Sequence, residues 1–485
     1  MTVRSFFGFR HRILAALLAF CLCLGAFPAR PAAADGTREA EIRRIMNLNL
    51  RYILNDWWTS EKDFVYAAAT SFTSDPQLTE ERILAIQNSA RTFADWRNSD
   101  LSVLYLSREQ AENGIRPVSH AVYCISLALY YGYYDEEITG ISAEDAEAMC
   151  VKLISAVTGE HRANHPEARD DRYWGDSWQS PLWAENIGLG AWLLRDRMDP
   201  EIYAKAERMV LDEAHTLTYD YEIPYYMDMD GTVVCPGDTK AEEIAWSAKV
   251  LALACFMFPG SEERAAWSDR LERMLVSATA APSDVGSSRL VDGRMAGEMI
   301  GGSNINEDGT LVNHNLYHID YMATVLEEMG DTVLLYKITG TPVPEAAVFN
   351  LDKIYSALIC VDLGRYDENS AGLNFYLRDD NGQPTGETTM PGKNDWGKPG
   401  YAIYYLCDVM ADTLGLDADL EEACKGRVWE DLHYQKMYAQ VFRETESETS
   451  GRFFRPGENS FVSGELFMMH NLAEAYVLAM GRRPE

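Results

Sequence analysis

The sequence predicts an all-α fold, an (α/α) toroid of helical hairpins with long loops at one end and little β structure. Three observations predict it. Apolar residues recur at helical spacing in about a dozen segments, each roughly 15–20 residues long. Strand-like patterns are few, and no strict repeat of a helical solenoid is present. A chain of this size that pairs so many helices without a solenoid repeat is expected to close them into a ring.

The first 34 residues have the pattern of a secretory signal peptide. A basic stretch, "VRSFFGFRHR", is followed by the apolar stretch "ILAALLAFCLCLGAF" and the small residues of "ARPAAA". This pattern predicts cleavage near Ala34, a single catalytic domain at 35–485, and a secreted or extracytoplasmic location. The apolar stretch is short for a membrane span, so an uncleaved membrane anchor is the less favoured alternative.

The chain is strongly acidic, with a formal net charge of −32 over 485 residues. Such a surface repels nucleic acid and anionic membranes, so nucleic acid is not an expected partner. An anionic substrate is not excluded, because a local pocket can still hold Arg, Lys and His. The oligomeric state and any cell-surface association are left open.

Helical periodicity continues along most of the chain. The predicted helices lie near 36–58, 79–96, 119–133, 142–159, 180–197, 199–218, 239–258, 261–279, 314–329, 399–414, 429–444 and 463–481. Long connections rich in Gly, Asp, Asn and aromatic residues separate some of them, at 160–179, 219–238, 281–313 and 363–398. Function on such a scaffold is expected on these loops and the adjoining helix ends.

The cysteines beyond residue 34 are scattered and form no Cys-x-x-Cys spacing. Most of them lie in apolar helical segments such as "LALACFMF". Buried free thiols are therefore expected rather than a structural zinc site, although one or two disulfides remain open.

The stretch "WGDSWQSPLWAENIG" places aromatic and polar residues at the start of a predicted helix. Trp178 and Trp183 are candidates for stacking on sugar rings, and Glu185 is a candidate substrate contact. Asn186 lies within an apolar run, where a buried amide must find partners. These tryptophans are also compatible with the core, and Asn186 with a structural network.

The stretch "NINEDGTLVNHNLYHIDYM" combines an acidic turn with two His and two Tyr. On a helix from residue 314, His314, Tyr317 and Tyr321 share one face, with His318 beside them as a candidate substrate contact. A His pair four residues apart can bind zinc, but the Glu of the His-Glu-x-x-His pattern is replaced by Asn315. No metal site and no cofactor are therefore predicted. A purely structural aromatic face is the competing interpretation.

The stretch "MPGKNDWGKPGY" sets Asn394, Asp395 and Trp396 between two turns that contain Gly and Pro, just before a helix. A loop of this composition is a candidate wall of a substrate cleft, and turn formation explains its Gly and Pro residues.

Tyr and His on one helix face, with Asn nearby, suit β-elimination of a uronic-acid glycoside. A Tyr removes the proton next to the carboxylate, and the same Tyr or a neighbour protonates the departing oxygen. Asn, His or Arg donors neutralise the carboxylate without a metal. A polysaccharide or oligosaccharide is the expected partner.

The segment "EDGTLVNHNLYHIDYM" resembles a signature of (α/α)-toroid polysaccharide lyases, those similar to hyaluronate and chondroitin AC lyases and to heparinase II/III and alginate lyases. The resemblance is local. It implies that His314 is the catalytic His, that Tyr321 is the catalytic Tyr with Tyr317 as a second candidate, and that Asn186 holds the uronate carboxylate. Arg294 and Arg172 are the candidates for the Arg. The C-terminal β-sandwich domains of the large lyases have no counterpart here.

Two alternatives remain from the residues themselves. One is an inverting glycoside hydrolase on the same toroid, with two carboxylates drawn from Glu185, Asp308, Asp320 and Asp395. The other is a glycan-binding protein without catalysis.

Overall fold

The structure is a computed structural model. It describes residues 35–57, 111–167, 173–175, 178–360, 396–442, 451–455, 458–459 and 463–480. The chain divides into two compact units, residues 1–44 and Ile45–Glu485. The first unit contributes only residues 35–44 to the described part, and these are helical.

The described residues are mostly helical, which confirms the all-α class. The α-helices are α1 (Asp35–Arg51), α2 (Ala111–Tyr131), α3 (Glu136–Thr139), α4 (Ala143–Gly159), α5 (Ser180–Leu193), α6 (Pro200–Tyr219), α7 (Ala241–Met257), α8 (Arg264–Ala278), α9 (Ala296–Met299), α10 (Ile319–Thr339), α11 (Leu351–Cys360), α12 (Tyr401–Leu414), α13 (Gly426–Val441) and α14 (Gly464–Met480). A π-helix, Tyr52–Trp57, continues α1. Short 3₁₀ helices lie at Arg162–Asn164, Arg195–Arg197, Pro282–Asp284, Glu345–Val348 and Glu422–Cys424.

The strands are short and pair in three antiparallel ladders. They are β1 (Met227–Asp228), β2 (Leu290–Val291), β3 (Arg294–Met295), β4 (Gly302–Ser303), β5 (Val312–Asn313) and β6 (Leu316–Tyr317). β1 pairs with β4, β2 with β3, and β5 with β6. An isolated antiparallel bridge also joins Met227 to Val233.

Six long helices of the second unit contact one another in succession. α2 contacts α5, α5 contacts α7, α7 contacts α10, α10 contacts α12, α12 contacts α14, and α14 contacts α2. The other long helices contact members of this series: α4 contacts α2 and α5, α6 contacts α5 and α7, α8 contacts α7, α11 contacts α10 and α12, and α13 contacts α12. The series of six therefore returns to the helix from which it starts.

The helices of this series are the most deeply buried part of the unit. Nearly every residue of α5 and α7 is buried, and so is most of α10. A helix that is apolar on every side is typical of a core position. Sequence signals also fix the ends: Asp199 caps α6 with Pro200 at its first position, and α10 ends at Gly340 in the left-handed conformation.

The predicted helices are largely confirmed, with shifted ends. α2 begins at Ala111 rather than near 119, and α11 was not predicted. The helix predicted from residue 314 is wrong at its start, because α10 begins at Ile319. The helix predicted at 79–96 lies outside the described residues, as does the predicted signal peptide.

The described cysteines fit the expectation of buried free thiols. Cys124, Cys150, Cys255, Cys407 and Cys424 are buried and unbridged, and Cys235 is partly exposed and unbridged. Among the described residues no helix combines the length and the apolarity that a membrane span requires.

Candidate functional site

A two-residue β-hairpin presents His314 ahead of α10. In this hairpin Val312 pairs with Tyr317 and Asn313 with Leu316, so His314 and Asn315 form the turn. Both turn residues have positive φ, 52° and 62°. Two left-handed residues in a two-residue loop are typical of the type I′ turn, whose twist matches that of the strands. The prediction that His314 and Tyr317 share a helix face with Tyr321 is therefore wrong.

The hairpin nevertheless brings His314 to Tyr321 by another route. The Tyr321 hydroxyl lies 3.2 Å from His314 Nε2. Tyr321 is in the first turn of α10, and His318 occupies the residue just before that helix. Because the chain reverses direction at His314 and Asn315, the His314 imidazole lies against Tyr321 at the start of α10.

Trp396 completes an aromatic cluster, defined here as His314, His318, Tyr321 and Trp396. The Trp396 ring centroid lies 5.6 Å from that of His318 and 5.1 Å from that of Tyr321. The rings of His318 and Tyr321 are 4.7 Å apart and nearly perpendicular. His314 is exposed, Tyr321 and Trp396 are partly exposed, and His318 is buried. The cluster thus joins the starts of α10 and α12 and keeps one edge in solvent.

Backbone contacts hold the hairpin against the start of α7. The Asn315 amide donates to the Gly237 carbonyl at 2.9 Å, and the Thr239 amide donates to the Val312 carbonyl at 2.7 Å. A side chain at Gly237 would meet the Asn315 side chain, so this close approach requires glycine. Asn313 Nδ2 donates to buried Glu242 at 2.6 Å. Burial raises the pKa of the Glu242 carboxyl.

The four candidates of the α5 segment separate by exposure. Trp178 is 56% exposed and its ring stacks edge-on against Trp246, whereas Trp183 is 0% exposed. Trp183 belongs to the core and cannot stack on a sugar, so its prediction as a substrate contact is wrong. Glu185 is buried as well, in contact with other ionisable groups inside the molecule. Its prediction as a substrate contact is wrong for the same reason.

Asn186 is also 0% exposed, between α5 and α2, so the prediction that it holds a substrate carboxylate is wrong for the same reason. Its Nδ2 donates to Ser119 Oγ at 3.2 Å, while its Oδ1 accepts no hydrogen bond from any described residue. One turn nearer the start of α2, buried Arg116 donates to Gln179 at 3.3 Å. Sequence analysis did not single out Arg116. The sequence feature that could have indicated it is a lone Arg beside Pro117, near the start of an apolar helix.

A larger group of ionisable side chains lies buried among α5, α7, α10 and α14. This ionic cluster is defined as Glu185, Lys249, Glu327, Glu328, Asp331, His470 and Glu474, all of them buried. Lys249 Nζ lies 2.6 Å from Asp331 and 2.8 Å from Glu328, and 3.8 Å from Glu185. Tyr123 of α2 donates to Asp331 at 2.7 Å. Charges so far from water persist only when they are paired.

Burial and ion pairing shift the pKa values of Lys249 and Asp331 in opposite directions. Burial alone would lower the pKa of Lys249, but Asp331, Glu328 and Glu185 outweigh it, so the pKa lies well above the ordinary value. Burial likewise opposes ionisation of Asp331, yet Lys249 and His470 hold its pKa below the ordinary value. Burial raises the pKa of Glu185 to about 8. Lys249 and Asp331 therefore form the charged pair at the centre.

Two groups within the ionic cluster have the geometry to hold a cation. They are Glu327 with His470 and Glu474, and Glu327 with Glu328 and Asp331. In each group the ligand atoms lie within 4.8 Å of one another. In the second group, the Lys249 ammonium already pairs with Glu328 and Asp331. Sequence analysis missed both groups; it considered zinc only for the cysteines and for His314 with His318.

The remaining predicted residues lie elsewhere or outside the description. Arg294, in β3, makes ion pairs with Asp269 at 2.8 Å and Glu272 at 2.9 Å, both on α8. No contact between Arg294 and the aromatic cluster is present among the described residues. Tyr317 is partly exposed in β6. Arg172, Asn394 and Asp395 lie outside the described residues.

Two of the carboxylates considered for a hydrolase already have partners. Asp308 accepts from the Thr310 hydroxyl at 2.6 Å and from its amide at 3.1 Å. Asp320 is buried and accepts from the Tyr404 hydroxyl. A cavity of about 270 Å³ adjoins Asp308; its lining also includes Glu307, Asp352, Lys353 and Asp419. Lys353 and Glu307 pair there at 3.2 Å.

Comparison of the chain with protein-family descriptions, with curated proteins and with solved structures finds no match. The likeness of "EDGTLVNHNLYHIDYM" to toroid lyases therefore stays a resemblance of one segment.

Proposed function

We propose that the protein is a polysaccharide lyase that cleaves a uronic-acid-containing glycan by β-elimination, with Tyr321 as base and acid. The observation that carries the proposal is the 3.2 Å contact between the Tyr321 hydroxyl and His314 Nε2 at a solvent-exposed edge. A hydroxyl this close to an imidazole has a partner for its proton. No residue of the ionic cluster reaches solvent in this way.

The proposed reaction breaks two bonds of one uronate residue and needs no oxidant or reductant. Tyr321 removes the proton from the carbon next to the carboxylate, and the carbon–oxygen bond to the leaving sugar breaks as a carbon–carbon double bond forms. The departing oxygen then takes a proton from Tyr321. His314 stabilises the charge that develops during proton transfer.

The aromatic surroundings suit a sugar substrate. The exposed Trp178 ring and the partly exposed Trp396 ring offer flat apolar faces, and sugar rings stack on such faces. Both tryptophans lie next to a helix start, Trp178 before α5 and Trp396 before α12. The proposed cleft is therefore formed by helix starts and the loops that precede them.

We infer that the second unit is an (α/α) toroid in which α2, α5, α7, α10, α12 and α14 are the inner helices. The contact succession that returns to α2 supports this. Contacts between helix starts also support it: Arg116 with Gln179, and Tyr321 with Trp396. The N-terminal pattern of residues 1–34 supports secretion of this enzyme.

The test is activity on polyuronates and glycosaminoglycans, followed as the absorbance of the unsaturated uronate that elimination creates. Tyr321→Phe is expected to lower this activity about 10²- to 10⁴-fold, the usual contribution of a general acid–base group. Tyr317→Phe is the matched control and is expected to retain activity. If Tyr317→Phe lost activity and Tyr321→Phe retained it, Tyr317 rather than Tyr321 would be the base and acid.

Other outcomes would replace the proposal. Reducing ends released without the absorbance would indicate a hydrolase. Glycan binding without any product would indicate a binding protein.

A further inference from the structure

Two helices of the ionic cluster place one His and two Glu around a common point. Glu327 comes from α10, and His470 and Glu474 are four residues apart on α14, so both point from one face of that helix. All three side chains are buried, and their ligand atoms lie within 4.8 Å of one another. These three residues are called the buried triad below.

Glu474 lacks the partner that a buried carboxylate requires. It is 0% exposed, and neither of its oxygens has a hydrogen-bond partner among the described residues. The facing residue on α10 is Gly330, where an added Cβ would lie 2.2 Å from Glu474 Oε1. The absence of a side chain at 330 makes room for this carboxylate inside the core. An ionised carboxylate in that position is costly unless a cation accompanies it.

Lys249 does not serve as that cation. Its Nζ is engaged by Asp331 and Glu328, at 2.6 Å and 2.8 Å. No Lys, Arg or His nitrogen of the described residues lies within 4 Å of a Glu474 oxygen in an ion pair. Within the ionic cluster, Asp331 and Glu328 therefore have the cation of Lys249, whereas Glu474 has no cation among the described residues.

The orientation of His470 suits a metal ligand. Its Nδ1 lies 3.1 Å from His120 Nδ1, and its Nε2 lies 3.5 Å from Glu327 and 3.2 Å from Asp331. With Nδ1–H donating to His120, Nε2 carries the lone pair that a metal ion would take, in place of the hydrogen bond that Nε2–H otherwise gives Asp331. Ligand atoms about 3.3 Å apart are expected around a tetrahedral ion bound at ~2.0 Å, so the triad atoms, which lie within 4.8 Å of one another, would move closer together on binding. His120 would then be the outer partner that fixes the ring, as is usual for metal-bound His.

We propose that the buried triad binds one divalent transition-metal ion, which joins α10 to α14 in the core. One imidazole with carboxylates favours zinc, and manganese is the next ion by ligand type. The ion would supply the positive charge that Glu474 lacks and would act in stability rather than at the aromatic cluster. The proposal does not rest on the enzymatic function above.

The test is the metal content of the full chain, produced in medium supplemented with zinc and manganese and purified without chelator. One equivalent per chain is expected by elemental analysis. Reconstitution with Co²⁺ should give the visible absorption of a site with nitrogen and oxygen ligands. A chain that carries no stoichiometric zinc or manganese, and that gives no such absorption, would overturn the proposal.

Two variants separate a specific site from general metal adsorption. Glu474→Gln keeps the side-chain volume and is expected to bind at least 10-fold more weakly, since loss of even an outer partner costs 10- to 100-fold. His433→Asn is the control, because His433 is also buried but, among the described residues, forms its ion pair with Asp408, at 2.5 Å. Equal metal affinity in Glu474→Gln and the parent chain would also overturn the proposal. If Glu474→Gln does not fold, the parent chain's metal content and Co²⁺ spectrum decide.

Discussion

The aromatic cluster and the ionic cluster share helix α10 but hold their polar groups in different ways. Tyr321 and His314 contact each other at an edge that water reaches. Lys249 and Asp331 contact each other where water does not reach. The first arrangement is the one for which proton exchange with a substrate is proposed. The second fixes charges in place, so its expected role is structural. If Tyr321 acts as proposed, the same scaffold separates reactive groups from stabilising ones by depth.

The largest expected effect comes from removing the central cation. Lys249→Met removes the cation from buried Asp331 and its neighbour Glu328, which is expected to cost about 3–5 kcal/mol of unfolding free energy. The measurement is chemical denaturation followed by circular dichroism. Lys240→Met is the control: Lys240 also contacts two acids, Asp238 and Glu243, but lies nearer the surface. Its loss should cost about 0–1 kcal/mol. Equal costs would show that depth does not distinguish the two clusters.

A similar contrast is expected between the two tryptophans of the α5 segment. Trp183→Ala empties a fully buried site and should cost about 3–5 kcal/mol of unfolding free energy. Trp178→Ala should change stability by less than about 0.5 kcal/mol, because Trp178 is largely exposed. If the proposed lyase activity is present, Trp178→Ala should instead raise KM. Unchanged KM would remove Trp178 from the proposed cleft.

A smaller effect is expected at the contact between α10 and α14. Gly330→Ala places a methyl group against Glu474 and Met410 and should cost about 1–3 kcal/mol. Gly159→Ala, at the end of α4, has open space around the new Cβ and is the control. It should leave the unfolding free energy within about 1 kcal/mol of the parent. Thermal denaturation of both variants measures the difference. A neutral Gly330→Ala would mean that the helices can move apart there.

Most of the helices were predictable because their apolar residues follow the helical period. The start of α10 was not, because His314, Tyr317 and Tyr321 also fit that period while the chain forms a hairpin. The turn lacks the Asn-Gly or Asp-Gly pair that marks such hairpins most clearly, and uses His314 and Asn315 instead. His314 and Tyr321 were expected on one face of a helix, whereas the hairpin brings them into direct contact.

The ionic cluster could not be predicted from a single sequence, for a different reason. Its members come from four helices, and nothing in the order of residues pairs Lys249 with Asp331 or His470 with Glu327. A local signal did exist. Lys249 is a lone charge in "AWSAKVLALACF", and Glu327, Glu328 and Asp331 interrupt the apolar "ATVLEEMGDTVLL". Charges inside helices that are apolar on every side indicate buried pairing, although not the partners.

The contact between α14 and α2 has a consequence for how the molecule folds. His120 and His470 touch across a separation of 350 residues. Contacts of such long range delay folding, since a long stretch of chain must be ordered before they form. During synthesis from the N-terminus, α2 is made long before α14. The stacking of Tyr123 on His470 and the pairing of Asp331 with His470 can form only after α14 has been made. Assembly of the core is therefore expected to finish only after α14 has emerged, so the incomplete chain is expected to need protection from aggregation by chaperones.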